Sequence, residues 1–246
     1  MRTEEAAYNH GYPFSESLFT DVIKPCIKNL KRHPSILVID GTAGTGKTTL
    51  AVQLVDAINK QEMDLENGDQ LAFGGKDLIA KAEKVSEAGL KVIIFDEADI
   101  DKRGALSRFN LNLIGFFREY RSLSILIILI IQNVSWLDNR LFEMGVVDGL
   151  IHLYNPTDND TSYMVYDLEN LSYLLFKMSK MGMQKRKAYS FCKGYMHGHF
   201  IDLPKERRAL LEGLSNKQKA SSRKRRLKLP NTTKNIPIVR KEGEKS

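Results

Sequence analysis

Apolar residues along the chain form two kinds of segment: short uninterrupted runs and longer stretches with helical spacing. The runs predict buried strands, at 35–40, 71–73, 92–96, 124–131 and 149–153. The helically spaced stretches predict helices, at 47–60, 77–87 and 106–120, with a further helix at 15–30 that Pro25 must bend. Strands that alternate with helices favour an α/β fold, a mostly parallel sheet with helices on both faces.

The pattern changes beyond Pro156, where strands and helices no longer alternate regularly. Residues 161–167 alternate as an exposed or edge strand, and 188–201 predict a hairpin that turns at Gly194. A basic, methionine-rich segment, 177–187, precedes this hairpin, and a helix from 203 to about 214 follows it. The pattern therefore divides the chain into four parts: a helical lead-in (1–34), an α/β core (35–155), a small β-rich extension (156–215) and a tail (216–246).

A glycine-rich sequence follows the first apolar run and opens the helix at 47–60. It matches G-x-x-x-x-G-K-[ST], with the residues Gly41, Thr42, Ala43, Gly44, Thr45, Gly46, Lys47 and Thr48, and Thr49 directly after. Glycines let successive backbone N–H groups converge on phosphate oxygens, and the positive end of the helix dipole adds to this attraction. Lys47 can reach the β- and γ-phosphates, and the Thr48 hydroxyl can bind Mg²⁺. The sequence therefore predicts binding of a nucleoside triphosphate, taken to be ATP.

A second motif ends the run Val92–Asp96, where Asp96 and Glu97 follow four apolar residues. Alone, this pattern also fits a strand that simply enters a loop. Because the carboxyl ends of parallel strands meet at one edge of a sheet, Asp96 is expected to support Mg²⁺ beside the glycine-rich loop. Glu97 then lies where a base can polarise a water for attack on the γ-phosphate. This placement favours hydrolysis over simple binding.

Composition adds one strongly localised feature. The 246 residues suffice for one sizeable core, and no apolar run is long enough to cross a bilayer. Residues 216–246 hold eleven Lys or Arg against two Glu, a net of +9 in a chain whose total is +7. Such a tail is expected to be disordered alone and to bind polyanions such as DNA, although it also fits a tail that only aids solubility. The two distant cysteines and the acidic, apolar-poor N-terminus predict a cytoplasmic protein.

The motifs together resemble the HerA–FtsK superfamily of P-loop ATPases, which includes DNA translocases, conjugation coupling proteins and viral packaging ATPases. The resemblance covers roughly residues 35–155 and adds Gln132, at the end of a strand, with Arg118 and Arg121 before that strand. It implies that Gln132 senses the γ-phosphate, and that Arg121 or Arg118 completes the site of a neighbouring subunit in a homo-oligomeric, hexameric ring. A strand-end amide that binds a loop, and arginines that pair with Glu119 or Asp101, are the structural alternatives.

Other classes share these motifs. Residues 96–99 spell Asp-Glu-Ala-Asp, but the segment after Pro156 is too short for the second RecA-like domain of a DEAD-box helicase. A replication initiator or helicase loader of the DnaA or DnaC type needs a helical lid with an arginine, which the strand-like pattern after 155 does not predict. A slow nucleotide-dependent switch is the third possibility, and Glu97 argues against it. The interpretation carried forward is Mg²⁺-dependent ATP hydrolysis coupled to DNA translocation or packaging, in a viral or plasmid protein.

Overall fold

The computed structural model describes residues 13–31, 35–96, 103–119, 122–155 and 161–228. Seven strands belong to one sheet: β1 (Ser35–Gly41), β2 (Leu71–Ala72), β3 (Val92–Asp96), β4 (Leu126–Ile130), β5 (Val147–Tyr154), β6 (Ser162–Tyr166) and β7 (Met196–His199). The helices are α1 (Lys24–Asn29, continuing a π-helical stretch Leu18–Ile23), α2 (Lys47–Asn59), α3 (Gly75–Glu87), α4 (Arg103–Glu119), α5 (Asn139–Glu143), α6 (Leu168–Lys180), α7 (Ala188–Phe191) and α8 (Lys205–Lys228). Two short 3₁₀ segments, Val134–Trp136 and Gly182–Lys187, connect them.

The strands lie in the order β2-β3-β4-β1-β5-β6-β7. The first five pair in parallel, and β6 and β7 continue the sheet antiparallel. Sequence analysis predicts this α/β architecture, and the structure confirms it. The apolar run at 71–73 comes between β1 and β3 in sequence, and from this we expected its strand to lie between them in the sheet. That expectation is wrong: β4 lies between β1 and β3, and β2 lies at the edge of the sheet. The strand that precedes the glycine-rich loop, β1, and the strand that ends at Asp96, β3, are therefore separated by β4, which follows both of them in sequence.

Alternate residues of the central strands enter two hydrophobic cores, one on each face of the sheet. Leu37 and Ile39 of β1 pack with α2 and the N-terminal helices, while Ile36 and Val38 pack with α3, α4 and α6. The first core continues into the C-terminal part of the chain through Tyr163 and other buried side chains, Val165, Phe200, Leu203 and Leu211. The lead-in, the core and the extension therefore share buried surface.

The C-terminal part differs from the sequence prediction in two places. The predicted hairpin at 188–201 is wrong: 188–191 form the helix α7, and β7 pairs with β6 instead. Residues 216–228, predicted to belong to a disordered tail, are helical, since α8 runs through Ser215 to Lys228. The remainder of the tail, 229–246, lies outside the described residues. Within the part of the chain that the structure describes, we find no helix that combines the length and hydropathy needed to cross a bilayer.

Candidate nucleotide-binding site

The glycine-rich loop connects β1 to α2 at the carboxyl edge of the sheet. Gly41, Gly44 and Gly46 all have positive φ, at 147°, 82° and 79°. At Gly41 a side chain is also blocked by space, because a Cβ there would lie 2.5 Å from the Leu153 carbonyl oxygen of β5. The Thr45 hydroxyl donates to the Thr42 carbonyl at 2.9 Å and closes the loop on itself. This backbone, with 42–44 exposed, lies at the start of a helix, where backbone N–H groups favour binding of an anion.

Lys47, the first residue of α2, folds back over this loop. Its Nζ donates to the carbonyls of Gly41 at 2.9 Å and Thr42 at 2.6 Å. Burial lowers the pKa of the Lys47 ammonium, whereas the carboxylates of Asp96 and Asp40 act against that shift. The ammonium is thus held over the loop by the neutral carbonyls of Gly41 and Thr42. Phosphate oxygens, which are charged and therefore stronger acceptors, can replace these carbonyls.

Thr48 and Asp96, predicted to share one metal ion, lie side by side. The Thr48 hydroxyl donates to an Asp96 carboxylate oxygen at 3.2 Å, across the 48 residues that separate them in sequence. Both groups offer hard oxygen ligands, which Mg²⁺ prefers. Gly44 lies open on the same loop, since a Cβ there would meet no atom within 4 Å. The residues present therefore fit a magnesium triphosphate, with Thr49 following in the first turn of α2.

Of the four predicted catalytic residues, the structure describes Gln132 and Arg118. Gln132 is half-buried at the same edge of the sheet; because Ile130 is level with both Ile39 and Asp96, Gln132 lies two residues beyond Asp96. Arg118 is exposed near the end of α4, which leads back to the amino edge of the sheet, away from the loop of its own subunit. Glu97 and Arg121 lie outside the described residues.

A second carboxylate beside the loop was not predicted from the sequence. Asp40, directly before Gly41, is fully buried and accepts three hydrogen bonds. They come from the Val134 backbone N–H at 2.8 Å, from Nδ1 of His152 at 2.7 Å and from the Tyr189 hydroxyl. The His152 and Tyr189 rings stack with centroids 3.5 Å apart. Burial, followed by the Asp40 carboxylate, raises the pKa of Tyr189 well above its ordinary value.

This cluster fastens the C-terminal extension to the base of the phosphate loop. Tyr189 lies on α7, two residues after the basic 3₁₀ segment Gly182–Lys187. That segment and the residues after β4 line a cavity of about 430 Å³, which includes Asn133 and Trp136. Arg186 is exposed on the segment, and its charge adds to the lowering of the Lys47 pKa. The sequence did show Arg186 in a basic run, but only the strand order brings it near the loop.

Comparisons with known proteins gave only distant likenesses among solved structures. No protein-family model matches the chain, and no curated protein matches its sequence. Among solved structures, a KaiC-like protein from the hyperthermophilic archaeon Pyrococcus horikoshii aligns with 55% of this chain and 79% of its own, at 12% identity and a TM-score of 0.37. A DNA replication initiation factor aligns with 82% of this chain and 64% of its own, at 16% identity and a TM-score of 0.34. These likenesses are too distant to carry an argument.

The assignment of the fold therefore rests on the chain itself. A parallel sheet of order β2-β3-β4-β1-β5, a glycine-rich loop after β1 that opens α2, and an acidic end of β3 beside that loop are its three elements. Together they give this chain the α/β arrangement of the P-loop NTPase fold, with its glycine-rich loop at the carboxyl edge of the sheet.

Proposed function

We propose that the protein is a Mg²⁺-dependent ATPase that assembles as a ring, with six subunits as the expected number, and acts on DNA in translocation or packaging. The observation that supports it best is the 3.2 Å contact between Thr48 and Asp96 beside the glycine-rich loop. A hydroxyl and a carboxylate placed together at the start of a helix are the residues that hold a magnesium triphosphate in this class of site.

Each residue of the site then has a distinct role. The loop amides and Lys47 bind the phosphate oxygens, and Lys47 exchanges the carbonyls of Gly41 and Thr42 for them. Thr48 and Asp96 hold Mg²⁺, which neutralises charge that develops on the phosphates. Glu97 accepts a proton from the attacking water, and Gln132 orients that water or senses the γ-phosphate. Arg121 or Arg118 reaches the site of a neighbouring subunit.

Arg186 is a further candidate for the subunit's own site. No hydrogen bond or ion pair holds its guanidinium within the described part of the chain, and its charge is felt at Lys47. A cation left in place beside a phosphate site is suited to stabilise charge on the nucleotide. We expect Arg186→Ala to weaken ATP binding more than Lys187→Ala, a matched change of an exposed cation on the same segment.

Binding to DNA is assigned to the basic residues of the C-terminal part. The tail beyond 215 and the segment 177–187 contact phosphates without reading bases. Both cysteines, Cys26 and Cys192, are buried free thiols, which suits the reducing cytoplasm expected from the sequence. The concentration of charge in one part of the chain is the feature that links the ATPase core to a nucleic-acid substrate.

The decisive experiment is ATP turnover with and without double-stranded DNA, for the wild type and Glu97→Gln. A motor predicts turnover that DNA stimulates and that Glu97→Gln abolishes while ATP still binds. Glu119→Gln, a change at an exposed glutamate on α4, is the matched control and should behave as wild type. Low turnover that DNA does not alter would instead indicate a nucleotide-dependent switch.

One observation favours a replication initiator or helicase loader as the second candidate. The extension contains the helical segments 168–180 and 182–187, which the sequence pattern did not predict, and the charge of Arg186 on the second adds to the lowering of the Lys47 pKa that burial causes. An arginine on a helical segment after the core sheet is the feature that this class requires. Mixing Lys47→Ala with Arg121→Ala subunits tests for an arginine that acts between subunits, because partial recovery of turnover requires one. No recovery, together with loss of turnover in Arg186→Ala, would favour the initiator.

A further inference from the structure

Helix α6 carries aromatic and basic side chains on its solvent side. Tyr173 is 50% exposed and Phe176 56% exposed, although large aromatic side chains are usually buried more deeply. Lys177 lies with its Nζ 5.2 Å from the centre of the Tyr173 ring, and Lys180 with its Nζ 5.5 Å from that of Phe176. The opposite side of the helix is anchored in the core by Leu171, Leu174 and Met178.

The same surface continues onto α7. Phe191, at its end, is 68% exposed, and Lys193 is exposed two residues later. Ala188 of α7 and Cys192 directly after it share the second core with Leu174 and Met178 of α6, so the end of α7 packs beside α6. We call the three aromatic and three basic side chains the α6–α7 patch: Tyr173, Phe176, Phe191, Lys177, Lys180 and Lys193.

The charge around the patch is mainly positive, although Glu169, exposed one turn before Tyr173 on α6, is acidic. Residues 170–201 contain six lysines and arginines and no aspartate or glutamate. Such a surface attracts polyanions at long range, and exposed aromatic rings add a contact that does not depend on charge. A nucleic-acid strand with unpaired bases offers both, a phosphate backbone for the lysines and base faces for the rings. A duplex hides its base faces and offers only the first.

An anionic membrane is the other polyanion with apolar groups. Helices that lie in a membrane surface insert a continuous apolar face. The apolar face of α6 is already occupied by the sheet, since Leu171, Leu174 and Met178 are each no more than 1% exposed. The lysines lie over the rings, where each ammonium is placed to meet the phosphate next to a stacked base. These observations favour the nucleic acid.

From this arrangement we infer that the α6–α7 patch binds single-stranded nucleic acid, with Tyr173, Phe176 and Phe191 stacking on bases and the lysines contacting phosphates. The inference rests on the proposed action on DNA and names the form of nucleic acid that this surface selects. The patch is also joined to the nucleotide site, because the chain runs from α6 through Gly182–Lys187 to Tyr189, which binds Asp40. A nucleic-acid strand bound on α6 thus lies close in the chain to α7, whose Tyr189 is hydrogen-bonded to Asp40 before the phosphate loop.

Fluorescence anisotropy with labelled oligothymidylate, using the full-length protein, tests the inference. The double variant Tyr173→Ala/Phe176→Ala should bind the single strand between about fivefold and a hundredfold more weakly than wild type, with duplex binding changed less than twofold. Leu168→Ala, which removes an exposed apolar side chain from the start of the same helix, should bind as wild type. Lys177→Gln/Lys180→Gln should weaken both and flatten the salt dependence of binding.

Four outcomes would overturn the inference. The first is unchanged affinity of the aromatic double variant for the single strand, with thermal unfolding showing that it is folded. The second is an equal loss for single strand and duplex. The third is loss of binding to phosphatidylserine vesicles alone, which would indicate a membrane surface. The fourth is a change only in the molar mass measured by light scattering, which would indicate self-association. Basal ATP turnover of the same variants, without nucleic acid, reports on the proposed ATPase separately, and its absence in wild type would overturn that function alone.

Discussion

Two carboxylates border the phosphate loop, and their surroundings are opposite. Asp40 is fully buried and saturated by three donors, from the segment after β4, from β5 and from α7. Asp96 is half-buried at the end of β3, and its described partner on the loop side is the hydroxyl of Thr48. A carboxylate already surrounded by three donors has little capacity left for a metal, whereas Asp96 lies beside the Thr48 hydroxyl, a second oxygen ligand that the same metal ion can use. The comparison suggests a structural role for Asp40, which holds the surrounding segments together, and a metal-binding role for Asp96.

The difference extends to the two sides of β1. On the β4–β3 side the strands are parallel and apolar until their last residue. On the β5 side polar groups enter the edge of the sheet, and the antiparallel strands β6 and β7 follow. The first side ends in Asp96, which we propose as a ligand of the metal ion, and the second joins the loop to the C-terminal extension through the hydrogen bonds of Asp40.

The largest loss of stability is expected from Asp40→Ala. It leaves the Val134 N–H, the His152 ring and the Tyr189 hydroxyl without their acceptor inside the protein, at a cost of about 3 to 5 kcal/mol in the free energy of unfolding. Urea unfolding measures this loss. Asp40→Asn, which keeps one carbonyl oxygen, should lose less. A loss below about 1 kcal/mol for Asp40→Ala would show that the cluster does not hold the fold together.

The next effect is expected from Gly41→Ala. Its φ of 147° is unfavourable for alanine, and the added Cβ would press on the Leu153 carbonyl oxygen, so we expect a loss of about 2 kcal/mol or more. Gly44→Ala is the matched control, since it has a positive φ but open space around it, and it should lose about 1 kcal/mol. The same unfolding titrations compare the two. Equal losses would mean that the approach of β5 does not constrain the loop.

A smaller effect is expected from Tyr189→Phe, about 1 kcal/mol, because it removes one hydrogen bond to Asp40 and keeps the ring that stacks on His152. It should also alter the dependence on pH. The pKa of Tyr189 is raised in the folded protein, so its stabilising contribution is complete below the ordinary tyrosine value of about 10 and is lost as the pH rises above it. Stability should therefore fall less steeply above pH 10 in Tyr189→Phe than in wild type. Identical slopes in urea unfolding at alkaline pH would contradict this.

The smallest change in stability is expected from Asp96→Asn, within about 0.5 kcal/mol of wild type. Its effect belongs to the nucleotide: Mg²⁺ should tighten ATP binding to the wild type and have little effect on the variant, as measured by calorimetry with and without Mg²⁺. Asp40→Asn would then be the informative contrast, with reduced stability and a retained response to Mg²⁺. If both variants lost stability equally, the division of roles between the two carboxylates would be wrong.

The sequence by itself determined the local part of the site. The loop Gly41–Thr48 lies in one stretch of chain, and its glycines and lysine define a phosphate site wherever a strand precedes it and a helix follows. Apolar runs likewise placed the five parallel strands to within a few residues, because a strand buried on both faces must be apolar throughout. The glycine-rich motif and the apolar runs could both be recognised because the residues that form each of them are neighbours in sequence.

The short segment 188–192 shows where this kind of reasoning fails. Its small and aromatic residues alternate as in a strand, but Ala188 and Cys192, four residues apart, also lie on one face of a helix, and both are buried. Five residues fit either period. The bond from Tyr189 to Asp40 distinguishes them, and it joins residues 149 apart in the chain.

The tertiary structure alone decided which residues meet at the edge of the sheet. Asp40 and His152 are level because β5 lies beside β1. Thr48, in the helix after β1, meets Asp96, at the end of β3, in a sheet where β4 lies between β1 and β3. Strand order depends on how all the apolar faces are buried at once, a property of the whole chain that no single segment encodes. For that reason the sequence could identify a phosphate-binding loop, while only the folded sheet shows that α6, α7 and Arg186 are joined to it.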